Sequence, residues 1–139
     1  MAERDDASPV VMVVEDFEDT RLLMRRLLEM NGCRVVEAVN GREAIARAEA
    51  DRPQLILMDL NMPVLDGFTA ALRIRERDAG REVPIVAVTA YDTAEFRRAA
   101  EAVGCSGYVS KPLDLDGLAD LLRRHLPDFS PPRERTEAA

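Results

Sequence analysis

The strongest constraint on this chain is a set of short apolar runs that do not alternate. Residues 9–14 read PVVMVV, 54–60 read QLILMDL and 84–88 read PIVAV. A half-buried strand alternates apolar and polar residues, whereas a continuous run rich in branched side chains marks a strand covered on both faces. Helical patterns lie between the runs. Glu18 to Met30 carries Leu23, Leu27 and Met30 at helical spacing, with Leu22 and Leu28 beside them, so these residues are expected to form its buried face. Asn31-Gly32 ends that helix. Val35-Val36 form a short second strand, and Asn40-Gly41 turn the chain into an Ala-rich helix over residues 42–50, with Ile45 inward. Further helices are expected from Gly67 to about Arg77, from Thr93 to Val103, and from Leu113 to Leu126. The last should bury Leu115, Leu118, Leu122 and Leu126. Gly104 to Val109 supplies a turn and a short fifth strand.

Five strands alternating with five helices predict an α/β, doubly wound five-stranded parallel sheet with helices on both faces. The 139 residues suit one domain, expected over 9–126, with no internal repeat. Residues 127–139 hold three of the eight prolines and little apolar content, which predicts a disordered tail. The net charge of −7 argues against direct contact with nucleic acid, because phosphate binding needs clustered positive charge. No apolar run approaches the roughly 20 residues of a membrane span. The acidic start, MAERDDASP, lacks the apolar stretch of a signal peptide, so the cytoplasm is the expected compartment. Two cysteines, Cys33 and Cys105, make no disulfide framework and show no metal-ligand spacing. The lone histidine, His125, reads as a solvated side chain favoured by a helix C-terminus.

Position is more informative than composition. In an open parallel α/β sheet, ligands bind beyond the carboxyl ends of the strands. Glu15 and Asp16 follow the first strand, Asp59 the third, Thr89 ends the fourth, and Lys111 lies just past the fifth. Lys111 is the only lysine among 19 basic residues; the other 18 are arginine. Codon bias accounts for the arginines but says nothing of where the lysine falls. Three carboxylates about 4 Å apart repel by roughly 4 kcal/mol per pair at an effective dielectric near 20. One lysine does not neutralise three acids, so either a carboxylate takes a proton or a cation binds. Hard oxygen ligands without thiols favour Mg²⁺. A metal, an ammonium and a hydroxyl together suit a phosphoryl group, with a carboxylate as nucleophile giving an acyl phosphate. Asp59, the central acid, is the natural acceptor.

With these residues in place, the segments VVEDFEDTR, LILMDLNMPVLDGF, PIVAVTA and GYVSKP make the chain resemble the receiver (response regulator) domain of two-component signalling, across about Val10 to Leu126. The resemblance implies the flavodoxin-like strand order 2-1-3-4-5. It implies Asp59 as phospho-acceptor, Asp16 as a direct Mg²⁺ ligand, Glu15 acting on the metal through water, and Asn61 offering its backbone carbonyl. Thr89 then matches the switch hydroxyl, Tyr108 the switch aromatic, and Lys111 the phosphate-pairing lysine, with a cis bond expected before Pro112. Asn61 and Tyr91 would set the lifetime of the phosphorylated state. The implied partners are a histidine kinase or histidine phosphotransfer protein and a downstream protein. Phosphorylation would change the affinity of the face made by helix four, strand five and helix five. Such a domain is no enzyme beyond its own phosphorylation and dephosphorylation.

In that strand order Cys33 and Cys105 precede opposite edges of the sheet, roughly 19 Å apart, and are expected as free thiols. A short chain starting at Met1 favours a stand-alone, chemotaxis-regulator-like module. The alternative is the receiver of a hybrid histidine kinase, or a phosphorelay intermediate passing the group to a histidine phosphotransfer protein. A dehalogenase-type phosphatase would need a second Asp where Asn61 stands. A flavodoxin-like electron carrier would need a Gly- and hydroxyl-rich loop where the sequence reads EDFED.

Overall fold

A computed structural model describes residues 8–62, 66–77, 82–90, 92–127 and 129–130. The chain runs β1 (Val10–Val14), α1 (Glu18–Met30), β2 (Arg34–Ala38), α2 (Gly41–Asp51), β3 (Leu55–Met58), α3 (Gly67–Arg77), β4 (Ile85–Thr89), α4 (Ala94–Ala102), β5 (Gly107–Ser110) and α5 (Leu115–His125). The five strands form one parallel sheet in the order β2-β1-β3-β4-β5. Each strand-to-strand connection carries a helix, which parallel pairing requires.

Successive side chains of a strand point to opposite faces, and the core divides accordingly. Met12, Val14, Ile56, Met58, Ile85 and Ala87 pack with residues of α2, α3 and α4 on one face. Val11, Val13, Leu55, Leu57, Val86 and Val88 pack with α1 and α5 on the other. That double coverage is why these strands are apolar without alternation. Local capping places the helices. Asn40 Oδ1 accepts from the Glu43 amide at 2.8 Å while Glu43 Oε1 accepts from the Val39 amide at 3.0 Å, a reciprocal cap at the start of α2. Thr93 and Asp114 cap α4 and α5 by accepting from Phe96 and Gly117 amides. Asn31 ends α1, followed by Gly32 at a φ of 86°, a left-handed conformation that glycine adopts without Cβ strain.

The buried face of α1 differs from the expected one. Met24 and Leu28 are buried and Leu27 is half-buried, whereas Leu22, Leu23 and Met30 are 48%, 53% and 56% exposed. Six of the 13 residues of this helix are apolar and they spread beyond one face, so two faces satisfied the periodicity, and the sheet selected the one centred on Met24 and Leu28. On α5, Leu118, Leu122 and Leu126 are buried as expected; Leu121 joins them and Leu115 is only half-buried. His125 is also not the solvated side chain expected. It is half-buried against β5, where a Cβ on Gly107 would stand 3.1 Å from its Nε2. Burial, with Arg124 adding, pushes its pKa below the ordinary histidine value.

Cys33 and Cys105 are free thiols, at strands on opposite edges of the sheet. Burial pushes their pKa values up to about 12 and about 11, which leaves little thiolate. The Lys111-Pro112 bond is cis. Phe129, placed in the tail by composition, packs against the α1–α5 side of the core. Most of the remaining tail, and Tyr91, lie outside the described residues. Among the described residues no helix is long and apolar enough to cross a membrane.

Candidate functional site

The sheet register brings the predicted residues together. Val14 pairs with Met58, Met58 with Ala87, and Thr89 with Ser110, so the strands end side by side. The ladder continues past the strands: the Glu15 amide donates to Ala38 O at 3.0 Å, the Asp59 amide to Val14 O at 3.0 Å, and the Lys111 amide to Thr89 O at 2.8 Å. These backbone bonds fix the points from which the polar side chains leave the sheet. One carboxylate oxygen each of Glu15, Asp16 and Asp59 lies within 4.8 Å of the others. Glu15 is 2% exposed and Asp59 7%, Thr89 is fully buried, and Asp16 faces solvent.

Lys111 enters this cluster from beyond β5. Its Nζ lies 2.6 Å from Glu15 Oε1 and 3.4 Å from Asp59 Oδ2. Burial raises the Glu15 pKa above the ordinary carboxylate value; the Lys111 bond opposes this and the Asp59 charge adds to it. Burial works against the Lys111 charge, yet the bond to Glu15 and the Asp59 charge prevail, and its pKa is raised. The two directions agree physically: two buried acids share one ammonium, which is itself well compensated while they are not. The remaining donors are local. Asp59 Oδ1 accepts from the Asn61 amide at 3.0 Å, the turn geometry of an Asx residue, and Glu15 Oε2 accepts from the Phe17 amide at 3.2 Å.

Two further residues, neither expected there from the sequence, shape the site. Gly67 opens α3 against the end of β3, where a Cβ would come within 2.3 Å of Asp59 O and 2.6 Å of Leu60 Cα. Only a glycine lets α3 start there. A poor helix former inside the first turn is the one sequence signal of that approach. Arg21 donates from Nη1 to Glu15 O at 3.1 Å and from Nε to Glu37 Oε1 at 2.8 Å, so it ties the loop after β1 to β2. Arg25 pairs with the same Glu37. Burial raises the Glu37 pKa, but the bonds from the two arginines outweigh it and hold it below the usual range. Nothing local in the sequence links Arg21 to Glu37. Tyr108 is half-buried on β5, with the Arg97 guanidinium 4.7 Å from its ring centre.

The donor set fits a hard divalent cation: carboxylate oxygens in excess of nearby positive charge, no thiol or imidazole among them, and one edge open to solvent through Asp16. A parallel sheet with acids and one lysine at its carboxyl edge is a site suited to a phosphoryl group. The chain matches the family model of the response regulator receiver domain over residues 11–123, and it belongs to that family. It is similar to the Vibrio cholerae chemotaxis protein CheY4, at 32% identity over 86% of this chain and all of that one, with a TM-score of 0.82. It is likewise similar to the receiver domain of the Pseudomonas aeruginosa sensor histidine kinase PA1611, solved with a magnesium ion in its active site cleft (34% identity, 86% of this chain and 98% of that one, TM-score 0.79). A third similar structure is the Saccharomyces cerevisiae Ssk1 receiver domain, solved with the histidine phosphotransfer protein Ypd1 (30% identity, 88% and 95% coverage, TM-score 0.78).

Proposed function

We propose that this chain is a phosphorylation-dependent switch in which Asp59 takes a phosphoryl group from a phosphohistidine donor and thereby alters a partner-binding face. The observation that carries this reading is the convergence of Glu15, Asp16, Asp59 and Lys111 at one sheet edge. Asp16, Asp59 and the Asn61 carbonyl would hold Mg²⁺, with Glu15 acting through water. The metal would supply positive charge that lets three carboxylates and a phosphoryl group share the site. Asp59 attacks phosphorus through a carboxylate oxygen; the bond from phosphorus to the donor imidazole breaks and its electron pair returns to that nitrogen. Lys111 balances charge on the phosphoryl oxygens. Thr89 donates its hydroxyl to one of them, and Tyr108 turns into the space this leaves.

The donor must reach Asp59 past the start of α1. There Phe17 is 61% exposed, and Leu22 and Leu23 lie on the outer face of the same helix, an apolar surface suited to a donor protein. The module acts in the cytoplasm through residues 9–126, and its output is protein binding. A second reading is favoured by the similarity to a kinase receiver: the chain relays its phosphoryl group to a histidine phosphotransfer protein.

The test is covalent labelling with acetyl phosphate and Mg²⁺. Labelling is expected in the wild type and absent in Asp59→Asn; label that survives in that variant sinks the assignment. Lys111→Arg should be impaired despite its charge, since the planar guanidinium does not replace a compact ammonium. A fully active Lys111→Arg would show the lysine to be incidental. Mixing the phosphorylated chain with a phosphotransfer protein separates the two readings by whether label moves on.

A further inference from the structure

Tyr108 is half-buried, packed against the α2–α4 side of the core and overlain by Arg97, and the proposed switch leaves open what holds the ring there before phosphorylation. The structure offers a specific set of contacts there. The Arg97 guanidinium lies over the Tyr108 ring at 4.7 Å from its centre. That distance is within the range of a cation–π attraction, which favours a ring facing solvent over one withdrawn into the sheet. Arg97 is itself held: its Nε donates to Asp92 Oδ1 at 2.8 Å. Asp92 also bonds the Ser110 side chain, two residues beyond Tyr108 on the same strand and therefore on the same side of it.

The position of Asp92 matters most. It lies three residues after Thr89, in the connection between β4 and α4. A displacement of Thr89 toward a phosphoryl group therefore pulls on the segment that carries Asp92. Thr89 and Tyr108 are then joined by two routes, one through the interior and one through the surface pair Asp92–Arg97. We propose that Arg97, anchored by Asp92, is a latch that keeps the Tyr108 ring outward in the unmodified protein and lets go when the segment after Thr89 shifts.

This inference rests on the reading of Thr89 and Tyr108 as a switch pair. It adds Arg97 and Asp92 as positioning residues that touch neither the phosphoryl group nor the metal. It also sets a direction. Removing the latch does not block the switch; it biases the unmodified protein toward the switched form. A guanidinium over an exposed ring is a modest contact, so the bias should be a few-fold rather than complete.

The chain has two tyrosines and no tryptophan, which makes fluorotyrosine labelling with fluorine NMR a clean readout. The Tyr108 resonance is assigned with Tyr108→Phe. Its shift between light and heavy water reports how far the ring is exposed. In unmodified protein, Arg97→Gln should lower that solvent shift and raise the inward population by about two- to five-fold. Arg97→Lys, which keeps a cation, should give a smaller change, and Asp92→Asn should act in the same direction as Arg97→Gln. A merely structural role for Arg97 would lower the unfolding midpoint without moving the resonance. An unmodified Arg97→Gln protein whose Tyr108 resonance and solvent shift match wild type overturns the latch. Adding beryllofluoride with Mg²⁺ to wild type tests the underlying switch separately. If that leaves Tyr108 outward while Arg97→Gln still moves it, the latch stands and the phosphorylation-driven movement fails.

Discussion

The centre of the sheet and its fifth-strand edge are built differently. In β1, β3 and β4 nearly every side chain is buried, and the two core clusters meet across these strands. In β5 no residue is buried, and α4, which lies beside it, buries only Ala100. The acids and Thr89 leave from the covered strands, whereas Tyr108 sits on the exposed one. A phosphoryl site needs carboxylates held in place, which close packing supplies. A relay face needs side chains with somewhere to go, which half-buried packing supplies. On the proposed function, the two tasks would be divided between two kinds of strand in one sheet.

That division is open to attack by mutation. The largest effect is expected at the centre: Ile56→Ala, fully buried in β3, should cost about 3 kcal/mol in urea unfolding. Val109→Ala on β5 should cost only about 1 kcal/mol. Equal losses would erase the contrast.

A third effect concerns the charge stored at the centre. The folded pKa of Glu15 is raised, so the folded state binds its proton more tightly than the unfolded chain does. Its favourable contribution is complete below the ordinary carboxylate pKa and is lost as pH rises through the raised value. With metal chelated, Glu15→Gln should therefore remove a stability loss that wild type suffers as pH rises above 4.5. Thermal midpoints of the two proteins across that range check it, and parallel curves would contradict it.

The smallest effect belongs to the edge. His125 has a lowered folded pKa, so its contribution is intact above the ordinary histidine value near 6.5 and falls as pH drops through the folded one. The ring is half-exposed and solvent screens it, so His125→Gln should change stability by no more than about 0.5 kcal/mol. The difference from wild type should appear at pH 5.5 and vanish at pH 7.5.

The contrast between these regions also explains what was legible in the sequence. Runs such as LILM and IVAV could be read because strands covered on both faces leave no polar position, and their abrupt ends marked Glu15, Asp59 and Thr89. The face of α1 misled because Leu22, Leu23 and Met30 are apolar yet exposed, and periodicity does not say which of two apolar faces meets the sheet. His125 misled in the opposite way. A polar residue near a helix end looks solvated until its packing against Gly107 is known.

Sequence alone determined the alternation of elements, the covered strands and the polar residues at their ends, because each is a local pattern of residue types. Tertiary structure decided which face of α1 is buried, that Arg21 bridges the Glu15 carbonyl and Glu37, and that Arg97 covers Tyr108. These contacts join residues on different elements, and their partners are set by how strands and helices align in space. The lone lysine belongs to both. Its place after the fifth strand is written in the chain, but only the parallel register brings its Nζ between Glu15 and Asp59.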